Sequence, residues 1–253
     1  MSNSKMAAHT EFCKTFVTFA KDLYPHKDFI GLHEPIFKGN EKKYTAECID
    51  STFVSSVGEF VTRFEKDTAQ FVGLPYAVAC VNGTAALHMA LILCDVQQHD
   101  EVLTQALTFV ATANAISYCK AHPVFIDSDP KRLGMCAVKL RHFLEVYADV
   151  RDDGFCYNKK TGRRLKACVP MHVFGHPVDL DAINEICKRY NISLIEDAAE
   201  SIGSFYKGRH TGYVGDVAIL SYNGNKTITT GGGGMLVMSD EALAKKAKHL
   251  TTT

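Results

Sequence analysis

The sequence of 253 residues lacks an excess of either charge, any Cys-x-x-Cys pair and any long apolar run. Basic and acidic side chains number 28 each, so the basic surplus typical of nucleic-acid-binding proteins is missing. No apolar run is long enough to span a bilayer, and the polar start from Met1 to Lys5 lacks the apolar part of a signal peptide. The nine cysteines have no metal-ligand spacing, and we interpret them as reduced thiols of a cytoplasmic protein. These absences predict no nucleic-acid, membrane or metal partner.

The length and a hydrophobic content of 46% fit one large domain, or one domain with part of a second. We predict an N-terminal helical segment over residues 1–30 and a large domain over residues 31–253. In the N-terminal segment, apolar side chains recur every three or four positions, which favours a helix: Phe12, Phe16, Phe19 and Leu23.

Short apolar strands alternate with helices over most of the large domain. The strand candidates are Tyr76–Val81, Glu101–Thr104, Pro123–Ile126, Ala167–Pro170, Ser193–Ile195, Val217–Leu220 and Gly234–Met238. We predict helices over residues 40–49, 58–72, 84–93, 110–119, 140–148 and 180–190, and a last helix capped by Ser239; residues 152–164 read as a loop or small hairpin. This alternation predicts a mostly parallel sheet covered on both faces, with ligands bound at the carboxyl ends of the strands.

The first candidate site is the turn Asn82-Gly83-Thr84, where a strand leads directly into a helix. Gly83 permits a tight turn, and the Thr84 hydroxyl lies beside the free amides of the helix start, so the turn is a natural phosphate cradle. Many strand-to-helix turns carry Gly-Thr without binding a ligand, so this turn, taken by itself, leaves that alternative open.

The second candidate site is Asp197, which follows the strand Ser193–Ile195. A carboxylate there can pair with a protonated pyridine nitrogen, which makes the ring a strong electron sink. The alternative is a plain cap of the next turn.

The third candidate site is Lys226, at the end of the run from Ser221 and before four glycines, Gly231 to Gly234. A lysine among small and polar residues at a strand exit can be held near a carbonyl and can attack it once deprotonated. The alternative is a surface lysine before a flexible loop. A phosphate cradle, an acid for a ring nitrogen and a lysine on successive strand ends are together what enzymes that use pyridoxal 5'-phosphate (PLP) require.

The chain also resembles the DegT/StrS-type PLP-dependent sugar aminotransferases. The matching motifs run from Gly31 onward: residues 39–41, 54–58, 82–88, 108–112, 170–175, 196–200 and 221–226. The resemblance implies an α/β fold of the type I PLP transferases, whose large domain holds a mostly parallel seven-stranded sheet between helices. The family's chain continues past the position of Thr253 into a small C-terminal domain, so we expect this sequence to hold the cofactor half of the machinery.

The resemblance implies a role for each matching residue. Lys226 resembles the catalytic lysine that forms a Schiff base with PLP, and Asp197 resembles the acid that pairs with the pyridine nitrogen. Gly83, Thr84 and Ser221 resemble the phosphate binders.

Three further residues have implied roles with an open alternative. Phe109 resembles the aromatic residue that stacks on the cofactor ring, although a core Phe at a helix start would look the same. Glu200 lies where the family often has Gln near the ring hydroxyl. His172 is expected either to bind substrate or to be a structural histidine.

Within the family, the run Leu32-His33-Glu34-Pro35 and the glycines after Lys226 resemble the subgroup that aminates nucleotide-linked 4-keto-6-deoxy sugars for bacillosamine- or legionaminic-acid-type glycans. The resemblance implies glutamate as the amino donor and a homodimer in which a partner subunit completes each site.

Three other functions compete with this one. The family's sugar dehydratases carry His where Lys226 stands, which argues against that branch. A nucleotide-binding Rossmann protein needs a Gly-x-Gly-x-x-Gly turn after its first strand, which residues 81–84 do not supply. A non-catalytic PLP-binding protein, or an inactive fragment of an aminotransferase, stays open.

Overall fold

The structure, a computed structural model, describes residues 3–31 and 33–252. It divides into two compact units, Met1–Ile36 and Phe37–Thr253, whereas the sequence predicted the division at residue 30. The first unit holds helix α1 (Asn3–Leu23) and an ion pair between Lys27 and Glu34. Leu32 of the subgroup motif lies outside the described residues.

The second unit is built on a seven-stranded sheet with one antiparallel member. Its strands are β1 (Tyr76–Cys80), β2 (Glu101–Gln105), β3 (His122–Ile126), β6 (Leu165–Val169), β7 (Ser193–Asp197), β10 (Val217–Ser221) and β11 (Gly234–Met238). Two small antiparallel pairs lie outside this sheet: β4 (Ala148–Val150) pairs with β5 (Cys156–Asn158), and β8 (Phe205–Tyr206) pairs with β9 (Arg209–His210).

The spatial order of the main sheet is β1-β11-β10-β7-β6-β2-β3, and β11 runs antiparallel to both of its neighbours. The predicted fold class, a mostly parallel seven-stranded sheet between helices, is confirmed.

Helix α2 (Glu41–Asp50) is the first helix of this unit and has no buried residue. The helices that follow cover both faces of the sheet: α3 (Glu59–Val72), α4 (Gly83–Leu93), α5 (Val110–Tyr118), α6 (Ala137–Tyr147), α7 (Leu180–Arg189) and α8 (Glu241–Thr252). Every residue of β2, β10 and β11 is buried, as expected for strands with helices on both sides. Because side chains alternate along a strand, Val217 and Ile219 pack with α4, α5 and α8, whereas Ala218 and Leu220 pack with the end of α3.

Two local predictions needed correction. The last helix is capped by Asp240 rather than Ser239, because Asp240 Oδ1 accepts a hydrogen bond from the Leu243 amide at 2.8 Å. Strand β7 continues two residues past its predicted end, so Asp197 is itself the last residue of the strand.

Among the described helices, none combines the length and the hydropathy that a bilayer-spanning helix needs.

Candidate active site

A cavity of about 320 Å³ lies at the carboxyl ends of β1, β7 and β10, the edge at which a parallel sheet binds its ligands. Its walls include every predicted cofactor residue: Gly83, Thr84, Phe109, Asp197, Glu200, Ser221 and Lys226. Residues from separate predicted motifs, far apart in the sequence, therefore meet in one place.

The start of α4 lies against the end of β10. A Cβ atom at position 83 would lie 3.0 Å from Cβ and 3.1 Å from Oγ of Ser221, closer than ordinary contacts, so a larger residue there would require Ser221 to shift. Asn82, to which the sequence assigned no role of its own, caps α4, because its Oδ1 accepts a hydrogen bond from the Ala85 amide at 2.8 Å. The positive end of α4 and the hydroxyls of Thr84 and Ser221 thus border the same cavity, an arrangement that favours an anion.

Asp197 contributes a buried carboxylate to the cavity. Its residue is only 3% exposed, and burial raises the pKa of this carboxyl above the ordinary value of 3.8. Two hydrogen bonds oppose the effect of burial: Oδ2 accepts from Thr112 Oγ1 at 2.8 Å, and Oδ1 accepts from the Ala199 amide at 3.3 Å. A positively charged partner in the cavity would stabilise this carboxylate.

Thr112 is a site residue to which the sequence gave no role. It lies one turn into α5, where its hydroxyl bonds both to Asp197 and to Thr108 Oγ1, at 2.7 Å from the latter. Thr108 lies just before the residue that caps α5, and Thr112 lies in the first turn of the helix. The presence of two hydroxyl side chains in the motif of residues 108–112 was the feature of the sequence that could have indicated a role for Thr112.

Lys226 lies in a turn anchored by the residue that follows β10. Tyr222 is fully buried, its ring packs edge-on against Phe64 with 4.8 Å between centroids, and its carbonyl accepts a hydrogen bond from the Thr230 amide at 3.1 Å. The Lys226 amide donates to the Asn223 carbonyl at 3.0 Å. A rigid buried aromatic residue therefore fixes the base of the turn, while Lys226 reaches the cavity.

Glu200 is the ion-pair partner of Lys226. Its Oε1 accepts a hydrogen bond from Lys226 Nζ at 3.2 Å, and its Oε2 accepts one from the Phe174 amide at 3.0 Å. Phe109, which is 66% exposed, lies at the start of α5 and presents its ring to the cavity wall rather than to the core. This position therefore differs from that of a core phenylalanine at a helix start, which was the alternative for Phe109.

His172 does not line the cavity; it lies in the core behind Asp197. Its Nε2 lies 3.0 Å from Glu196 Oε2, and its Nδ1 accepts a hydrogen bond from the Val178 amide at 3.3 Å. Both members of the pair are 0% exposed. With both ring nitrogens engaged in the core, the geometry favours the structural alternative for His172 over substrate binding.

Glu196 joins that pair to a neighbouring loop. Burial would raise its pKa, but hydrogen bonds from His172 and from backbone amides outweigh burial and lower it. Those amides belong to Gly212, Val214 and Gly215, at 2.8, 2.8 and 2.7 Å. Glu196 thus ties β7 to the segment that leads into β10, and so holds two walls of the cavity in register.

Known proteins are similar to this chain over most of its length. The sequence model of the DegT/DnrJ/EryC1/StrS aminotransferase family matches residues 35–253. A GDP-perosamine synthase of Caulobacter vibrioides is 41% identical over 221 residues, which are 87% of this chain and 55% of that protein. EpsN of Bacillus subtilis, described as a putative pyridoxal phosphate-dependent aminotransferase, is 42% identical over 223 residues, 88% of this chain and 55% of EpsN.

A solved structure shares the fold. DesI, crystallised in the presence of its TDP-sugar product, matches with a TM-score of 0.75 at 26% identity, over 88% of this chain and 52% of DesI. The chain spans about half the length of the relatives that it matches. Because the family match covers most of its sequence, the chain belongs to the DegT/DnrJ/EryC1/StrS aminotransferase family.

Proposed function

We propose that this chain carries the cofactor-binding part of a PLP-dependent aminotransferase that moves an amino group from glutamate to a nucleotide-linked 4-keto-6-deoxy sugar. The observation that carries the proposal is the shared cavity of Lys226 and Asp197. An amine that can attack an aldehyde and a buried carboxylate that favours a cationic partner are the two groups that PLP chemistry requires of a protein.

The residues present fit the three parts of PLP. Its phosphate fits the turn at Gly83 and Thr84 with the Ser221 hydroxyl, where the close approach of α4 to β10 favours glycine at position 83. Its protonated pyridine nitrogen would supply the positive charge that the buried Asp197 favours. The flat face of its ring fits the exposed ring of Phe109.

The mechanism follows from these groups. When bound, PLP supplies an aldehyde for covalent attachment and a ring that takes up the electron pair released at the substrate carbon. Lys226 Nζ would hold the cofactor through that aldehyde, and as a free amine it would take a proton from the α-carbon of the amino donor as a base and give it back as an acid. Asp197 would pair with the protonated ring nitrogen, and Thr112 orients Asp197 by donating a hydrogen bond to its Oδ2. Glu200 receives the Lys226 Nζ–H and so orients the amine whenever it is free.

The substrate class is supported by the relatives. One relative is named for a GDP-linked sugar and DesI was solved with a TDP-sugar product. A nucleotide-linked keto sugar as acceptor agrees with both names and with the subgroup implied by the glycines after Lys226. Since the two nucleotides differ, a substrate panel has to include both, together with UDP-linked sugars.

A homodimer and a cytoplasmic location complete the proposal. Several apolar side chains near the cavity are exposed: Val81, Leu107, Val110 and Phe174. Exposed apolar side chains beside a ligand site favour an interaction surface, and a second copy of the chain is the expected partner. The nine unpaired cysteines support a reducing compartment.

The test follows the amino group. The protein is incubated with PLP, ¹⁵N-glutamate and GDP-, TDP- or UDP-linked 4-keto-6-deoxy sugars, and the sugar product is analysed by mass spectrometry. We expect the label in at least one amino sugar, and none with Lys226→Ala. If PLP becomes covalently attached but no sugar is labelled, the protein is a non-catalytic PLP binder instead.

A further inference from the structure

Gly234, the first residue of β11, lies where the sheet brings the ends of two other strands together. It pairs with Cys80 at the end of β1 and with Ser221 at the end of β10. The turn at Asn82 and Gly83 follows β1 closely, and it borders the same cavity as Ser221. Because Gly234 is buried in the sheet and has no side chain, any role in the cavity would act through these neighbours.

The approach of Gly234 to this turn leaves no space for a Cβ atom. Such an atom would lie 2.4 Å from the Asn82 carbonyl oxygen, 2.5 Å from the Asn82 carbonyl carbon and 2.8 Å from the Gly83 nitrogen. All three are backbone atoms, so no side-chain rotation can relieve the contact. The shortest distance is about 1 Å below the 3.4 Å at which ordinary contacts begin. A side chain at position 234 therefore has to displace the peptide between Asn82 and Gly83.

That peptide lies at the start of helix α4. The Asn82 carbonyl accepts a hydrogen bond from the Ala86 amide at 3.1 Å, and the Asn82 side chain caps the Ala85 amide. The first amides of a helix have no partner within the helix, and here they belong to residues that line the cavity, Gly83 and Thr84. Displacing the peptide would move these donors, and hydrogen bonds weaken steeply as their geometry departs from linear.

We propose that Gly234 is a positioning residue for the phosphate of the cofactor. Because it lacks a side chain, the turn of residues 82–84 lies against β11 and presents its amides and the Thr84 hydroxyl to an anion. This inference rests on the proposed function, since it takes the phosphate of PLP as that anion. It adds to that function by assigning a role to a buried residue of the sheet.

Gly232, in the same run of glycines, provides the matched control. Apart from its chain neighbours, the nearest atom to a Cβ at position 232 would be the Val81 carbonyl oxygen at 3.8 Å, which is an ordinary contact. Gly232→Ala therefore makes the same chemical change two residues away without displacing the turn.

The test compares PLP with pyridoxal, which has the same ring and aldehyde but no phosphate. Capture of each by Lys226 of the full chain is measured by borohydride reduction and mass spectrometry over a range of concentrations. In Gly234→Ala we expect half-saturation by PLP at a concentration roughly ten- to a hundredfold higher, the effect of losing one hydrogen bond to a charged group. We expect pyridoxal capture to be unchanged, and Gly232→Ala to capture both as the unsubstituted protein does. Equal losses for PLP and pyridoxal, or unchanged PLP capture in Gly234→Ala, would overturn the proposal.

A second variant alters the same turn without adding an atom to it. Asn82→Ala removes the side-chain cap of α4, so it tests the turn even if Gly234→Ala does not fold. We expect it to weaken PLP capture by about three- to tenfold, the range for one ordinary hydrogen bond, and to leave pyridoxal capture unchanged. If Asn82→Ala captures PLP as well as the unsubstituted protein, the turn does not hold the phosphate and the proposal is wrong.

Inorganic phosphate separates this proposal from the proposed function. Without PLP, phosphate should raise the Tm of the unsubstituted protein and of Gly232→Ala, and raise that of Gly234→Ala less. That result, together with no capture of PLP, would contradict the proposed function and support the role of Gly234. An equal rise in Tm in all three proteins, or no rise in any, would contradict the role of Gly234, whereas capture of PLP by Lys226 would still support the proposed function.

Discussion

Lys226 and Phe174 are linked through one carboxylate: Glu200 accepts a hydrogen bond from Lys226 Nζ at 3.2 Å and another from the Phe174 amide at 3.0 Å. Phe174 adopts left-handed backbone angles, with φ of 52°, a conformation that costs a non-glycine residue about 1–3 kcal/mol unless its surroundings hold it. The carboxylate therefore orients the lysine and also stabilises a strained turn beside the cavity.

Substituting Glu200 should separate these two roles. Glu200→Gln keeps a hydrogen-bond acceptor, so we expect PLP affinity to fall by only a few-fold. Glu200→Ala leaves both Lys226 and the Phe174 amide without this partner, and we expect a loss of about tenfold, corresponding to one hydrogen bond to a charged group. Titration with PLP, followed by absorbance, measures both. Equal affinities in the two variants would contradict this role of the carboxylate.

Asp197→Asn should stabilise the cofactor-free protein while weakening PLP binding. Burial raises the pKa of Asp197 in the folded state, so its ionised form destabilises the fold at neutral pH. Removing that charge should raise stability by about 1 kcal/mol, or roughly 2–4 °C in Tm, measured by thermal unfolding without PLP.

The sign of the Asp197 effect can be checked by pH. The difference between Asp197→Asn and the unsubstituted protein should shrink as the pH falls toward 3.8, because Asp197 then binds its proton in both the folded and the unfolded state. If the cofactor-free Asp197→Asn protein is clearly less stable than the unsubstituted protein at pH 7, the Asp197 carboxylate does not destabilise the cofactor-free fold, which would argue against its role as the partner of the ring nitrogen.

Thr112 should act through Asp197. Thr112→Val keeps the side-chain shape but removes the hydrogen bond to Oδ2, and that bond favours the ionised carboxylate. We expect PLP affinity to fall by about three- to tenfold in Thr112→Val, the range for one ordinary hydrogen bond, and to be retained in Thr112→Ser. The same loss in both variants would show that packing, and not the hydroxyl, is responsible.

The buried pair of His172 and Glu196 should matter for stability. Glu196→Ala leaves three backbone amides and His172 without an acceptor, and breaking a buried pair in this way costs about 3–5 kcal/mol. Denaturant unfolding measures this loss, and Glu196→Gln, which keeps the shape, serves as the milder control. An Ala variant as stable as the Gln variant would contradict the structural role.

The pH dependence of Glu196 has a defined sign. Because its pKa is lowered in the folded state, its contribution to stability is present above the ordinary value of 4.5 and is lost as the pH falls through the folded-state pKa. Glu196→Gln should therefore flatten the acid side of the stability profile.

The sequence was sufficient for the strands and for the residues around the cavity. Each main strand contains a short apolar stretch, and the sheet brings the carboxyl ends of β1, β7 and β10 to the same edge. The strand order could not be predicted from the sequence, because the insertion of the antiparallel β11 between β1 and β10 depends on contacts between distant residues.

The missed features depend on tertiary contacts or on very short elements. Thr112 and Asp197 are 85 residues apart, and only the folded sheet joins them. The β8–β9 hairpin has two residues per strand, too few for any periodicity. Glu200 was expected near the ring hydroxyl, and its bond to Lys226 was not foreseen because no local pattern links the two residues.

The central claim is that Lys226 captures PLP in this cavity. The most direct measurement is to mix the protein with PLP, reduce it with borohydride, digest it and determine by mass spectrometry which lysine carries the pyridoxyl group; Lys226→Arg, which keeps the charge but cannot attach to the aldehyde, is the control. The account predicts labelling at Lys226, and in Lys226→Arg no more label than the exposed lysines carry. Labelling spread over surface lysines, unchanged in Lys226→Arg, would contradict it.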